Sequence, residues 1–112
     1  MDVVGKSERP VDRVVFESDY LSLESLSRLA ERLRATNDGE QYLFREVELD
    51  CCFRQADGEL HMAKRSNDPS RIERSLAVRT RVFAAHDLVG TRQLNAAVEQ
   101  LNAVADLVTG LE

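Results

Sequence analysis

The 112-residue chain has no apolar run approaching the ~18 residues of a membrane span, and its opening MDVVGKSERP lacks the apolar core of a secretory signal. These absences predict a cytoplasmic protein. Cysteine is scarce too: Cys51 and Cys52 are adjacent and cannot easily bridge each other, which fits a reducing compartment and leaves no disulfide framework. Lysine is limited to Lys6 and Lys64, so the positive charge is almost all arginine, as high-GC coding alone produces. A surplus of positive charge is also missing. The net charge of −5 argues against attachment to phosphate backbones or anionic membranes. No glycine lies in ESDYLS, residues 17–22, where a first β-α junction would cradle a pyrophosphate, so a dinucleotide or P-loop site is excluded. Internal repeats and low-complexity tracts are absent as well.

What is present is an ordinary globular balance, 43% hydrophobic and 31% charged. That balance predicts a flexible leader over residues 1–10 and a single domain over 11–112. Such a domain removes roughly two-thirds of its unfolded surface from water without staples.

The fold expectation centres on residues 41–65. Val47, Leu49, Cys51 and Phe53 alternate with polar residues, the period of a strand with one buried face, and Asp57-Gly58 matches a two-residue hairpin turn. In that register Cys51, Phe53, Leu60 and Met62 share one side. VDRVVFES, residues 11–18, reads as a first strand, and residues 72–85 as a third meander strand after the turn cluster SNDPSR. Leu23, Leu26, Leu29, Ala30 and Leu33 form a helical stripe behind N-cap candidates Ser18, Asp19 and Ser22, ending at Asn37-Asp38-Gly39. A last helix starts behind Thr91 and carries Leu94, Ala97, Val98, Leu101, Val104, Ala105, Val108 and Leu111 before or around Gly110. The order β-α-β-β-β-α predicts an α+β two-layer sandwich, a four-stranded mixed sheet with two helices on one face.

The opposite sheet face is then open, and its members are the candidate site: Glu46, Glu48, Asp50, Cys52, Arg54, His61, Arg79, Arg81 and Phe83, with Ala63 and Arg65 alongside. The acidic row Glu46, Glu48, Asp50 and the basic pair Arg79, Arg81 polarise it. Such a face is self-complementary under a two-fold axis, so the expectation is a non-enzymatic interaction module, a homodimer, adaptor or inhibitor. Two rival readings remain. Cys52 beside His61, or His86, offers a thiol for a small enzyme or ligand pocket, although no orienting third group is visible. Arg79, Arg81 and Phe83 resemble a platform for single-stranded nucleic acid, against which the acidic row and the net charge speak. Cys51, Cys52, His61 and His86 do not assemble a four-ligand metal set on one face, so neither metal nor cofactor is expected.

Overall fold

The structure, a computed structural model, describes residues 10–110. After a 3-10 turn at Pro10–Asp12 comes an irregular arm, and then four helices: α1 (Leu23–Ala35), α2 (Gly39–Ser66), α3 (Pro69–Gly90) and α4 (Leu94–Thr109). No strand occurs among the described residues, so the expected α+β sandwich is corrected to an all-helical bundle. The expected leader lies outside the described residues apart from Pro10.

The correction is concentrated in α2 and α3. Val47, Leu49, Cys51 and Phe53 do alternate, but a second pattern at helical period runs through the same letters: Arg45, Leu49, Cys52, Ala56, Leu60 and Ala63 are all buried. That stripe wins because α3 packs along it and the arm and α1 close over its Arg45 and Glu48 end, whereas an alternating face would need a partner strand. Gly58 sits mid-helix with open space around it and makes no turn; its cost is about 1 kcal/mol relative to alanine, which the flanking turns of a long helix absorb. Residues 72–85 are likewise helical, with Val78, Val82, Ala85 and Val89 on the inner face.

The helix boundaries follow side-chain chemistry. Ser22, Asp38 and Asp68 cap α1, α2 and α3 by accepting hydrogen bonds from Ser25, Gln41 and Arg71 amides. Within SNDPSR, Asn67 takes a left-handed conformation (φ 56°) that ends α2, and Pro69 opens α3. The first and last helices fall where the spacing places them, although Thr91 closes α3 rather than capping α4. Gly110, at φ 77°, ends α4.

α2 and α3 form an antiparallel hairpin, α4 returns along α3, and α1 lies against α4 while barely touching α2. The core joins Leu26, Leu29 and Leu33 of α1 to small residues of α2, valines of α3, and Ala97, Val98, Leu101 and Val104 of α4. At 28 residues α2 is about 42 Å long, and α1 at 13 residues about 20 Å, so the hairpin outruns its neighbours in a molecule 56 Å long.

Candidate functional site

The narrow contact between α1 and α2 is filled by the arm. Gln41 Nε2 donates to Asp12 (2.8 Å), Arg45 to the carbonyls of Val11 (3.2 Å) and Arg13, Glu48 Oε2 accepts from the Val15 amide (2.6 Å), and Gln55 Oε1 accepts from the Tyr20 amide (2.7 Å). Arm and helix numbers rise together, so the arm runs parallel to α2. The Gln41-to-Gln55 interval of a helix rises about 21 Å, and the Asp12-to-Tyr20 interval reaches at most about 29 Å, so the arm uses roughly seven-tenths of its full reach. Across the slot Arg28 of α1 grips Glu17 (2.9 Å).

At the centre of this slot lies a sealed ionic cluster. Glu48 is bound by Arg45 (2.9 Å) and by Arg32 of α1 (3.2 Å), and Glu48 and Arg45 are fully buried. Burial pushes the Glu48 carboxyl above its ordinary range, against the pull of the Val15 amide and both arginines. It lowers Arg45 in the same way. Glu17 moves down because Arg28 bonds to it. The Glu48 oxygens are occupied by these bonds, so the cluster holds the arm and offers no free base. Arg32 is itself buried in this cluster.

The nine candidate residues do not share a face. On a helix, neighbours two positions apart diverge by about 200°, so the row Glu46, Glu48, Asp50 is split: Glu48 points inward while Glu46 and Asp50 are half-exposed. Cys52 is buried, its thiol pushed up to about 12 by burial, and His61 is exposed, so the two do not meet. Arg79 leans to α2, bonding Asp57 (2.8 Å), whereas Arg81 leans to α4 and bonds Gln100 (3.2 Å). The polarised sheet face is thereby corrected: its acidic and basic rows are not rows.

What the fold does bring together is a smaller group on the outer seam of α2 and α3. The rings of Phe53 and Phe83 meet at 5.9 Å and 55°, with the Arg79 guanidinium 5.1 Å above Phe53. Phe53, Arg79, Thr80 and Phe83 line a hollow of about 240 Å³. Phe83 is 61% exposed, and Leu76, two turns earlier on α3, 47%. Asp50–Arg54 (3.1 Å) and Asp57–Arg79 stand at the rim. Phe53 was expected on the other side of a ribbon. Its helical signal is the i,i+4 step to Asp57, matched by Arg79 and Phe83 on α3.

Among the described residues no helix is long and apolar enough to cross a membrane, and no group of three or more His, Cys, Asp or Glu is placed to hold a metal ion. Comparison with protein families, curated proteins and solved structures finds no match for this chain. The fold defines it as a small α-helical bundle with a strapped N-terminal arm.

Proposed function

We propose that the protein is a non-enzymatic interaction module that self-associates through the outer seam of α2 and α3. The observation that carries this reading is an exposed ring beside a hollow, Phe83 against the 240 Å³ space it shares with Phe53, Arg79 and Thr80. A knob and a hole side by side fit a second copy under a two-fold axis, each Phe83 entering its partner's hollow. Charge favours the same occupant. Asp50, Arg54, Asp57 and Arg79 sum to zero on a chain of net charge −5, so copies repel each other least along this seam. In this reading Phe53, Phe83 and Leu76 hold most of the affinity, and the rim pairs tune rate and salt response.

Phe83→Asp tests it, since an exposed position tolerates the change without unfolding. Light scattering behind a sizing column is expected to give a dimer for the wild type and a monomer for the variant, with the same helical circular dichroism. A monomeric wild type at high micromolar concentration, or a dimeric variant, overturns the proposal.

A further inference from the structure

Where α1 begins and α4 ends, the α2–α3 hairpin continues alone, and the step leaves a cavity of about 500 Å³ on its inner side. We propose that this cavity binds a small anionic amino acid of the glutamate or aspartate class. The volume lies within the ~300–1,000 Å³ usual for small-molecule sites. Its apolar part is made by Leu21, Ala56, Val78 and Val108, one from each surrounding segment, which suits a short methylene body.

The charges define the ligand. Arg71 and Arg74, one turn apart on α3, face the cavity, and neither guanidinium has an ion pair or hydrogen bond among the described residues. Glu59 of α2 lines the same space and is equally unpaired. Opposite charges around one cavity that do not reach each other leave room for a molecule between them. The fourth charged lining group, Asp19, keeps its charge but has Oδ1 engaged by the neutral donors of the Leu21 amide (3.0 Å) and Gln55 (2.6 Å), so it is held in place while Glu59 is not. Two free guanidiniums and one free carboxylate are complemented by two anionic groups and one ammonium. Guanidinium forks bind carboxylates in bidentate fashion, which favours two carboxylates over a single halide-like ion. An amino acid with a second carboxylate carries this set. The cavity shares no lining residue with the Phe53–Phe83 hollow, so this site does not depend on self-association.

Calorimetric titration of the full chain with L-glutamate, glutarate and butylamine tests the assignment. Glutamate is expected to bind, glutarate, which lacks the ammonium, to bind about tenfold or more weakly, and butylamine not to bind. Arg71→Ala and Arg74→Ala should each weaken glutamate about tenfold or more, whereas Glu59→Gln should bring glutamate down to the level of glutarate. All three side chains are exposed, so the variants keep the fold, which circular dichroism verifies. Absence of glutamate binding up to about 10 mM, equal binding of glutamate and glutarate to the wild type, or unchanged binding by the Arg71/Arg74 double alanine variant overturns the proposal.

Discussion

Arg45–Glu48 and Asp50–Arg54 are both short-range pairs on α2, closed at 2.9 and 3.1 Å, yet the first is sealed from water and the second stands in it, Arg54 being 79% exposed. Nothing in the pairs themselves decides this. The arm covers one flank of α2 and leaves the other open, so near-identical letters a turn apart become a structural clamp and a solvated rim. A buried pair leaves a stranded charge when one member is lost; an exposed pair leaves only a rehydrated side chain.

The sharpest way to break the comparison is Arg45→Ala, which strips two carbonyls of the arm and one side of Glu48 of their donor. A destabilisation of about 3–5 kcal/mol is expected, read from the urea midpoint. A small effect would mean that the arm is not clamped.

A pH series sharpens it further, because the two arm-holding carboxylates respond with opposite sign. Glu17 is lowered from 4.5 by Arg28, so the folded chain binds its proton less tightly than the unfolded one; its stabilisation is complete above pH 4.5 and is lost as pH falls through the lowered value. Glu48 is raised from 4.5 by burial, so the folded chain binds its proton more tightly, and stability falls as pH climbs from 4.5 through the raised value. Glu17→Gln should flatten the acid limb and Glu48→Gln the limb above it. Wild-type slopes in both variants would refute the assignment. At the small end, Asp50→Asn removes the exposed pair and should shift stability by about 0.5 kcal/mol or less, again by urea titration.

Legibility in the sequence tracked the same division. α1 and α4 could be read because their buried faces are leucine, valine and alanine at helical spacing, and Leu26, Leu29, Leu33, Val98 and Leu101 all lie inside. α2 could not. Its inner stripe mixes the charged Arg45 and Glu48 with small Cys52, Ala56 and Ala63 and has only Leu49 and Leu60 as large apolar members, while Leu43, Val47 and Met62 face water. With the true stripe muted, the chance alternation from Val47 to Phe53 and the turn-like Asp57-Gly58 carried the reading toward a hairpin. Charge inside a helix bundle is legible only once its partners are placed, and here they come from residues 11–20 and from Arg32. Of the candidate site, Arg79 and Phe83 do lie together on one seam. Glu48 and Cys52 went into the interior, and Arg81 turned to the far flank of α3.

Four of the arm's contacts are made through its main chain. The carbonyls of Val11 and Arg13 and the amides of Val15 and Tyr20 are what Arg45, Glu48 and Gln55 hold, and every amino acid except proline supplies both groups. The clamp therefore stores its specificity in the spacing of peptide units rather than in the alphabet of side chains. Substitutions at Val11, Arg13, Val15 and Tyr20 leave these four main-chain contacts available, whereas the three side chains that hold them have little freedom to drift. Inheritance of this part of the fold resides in Arg45, Glu48 and Gln55, outside the segment whose shape they set.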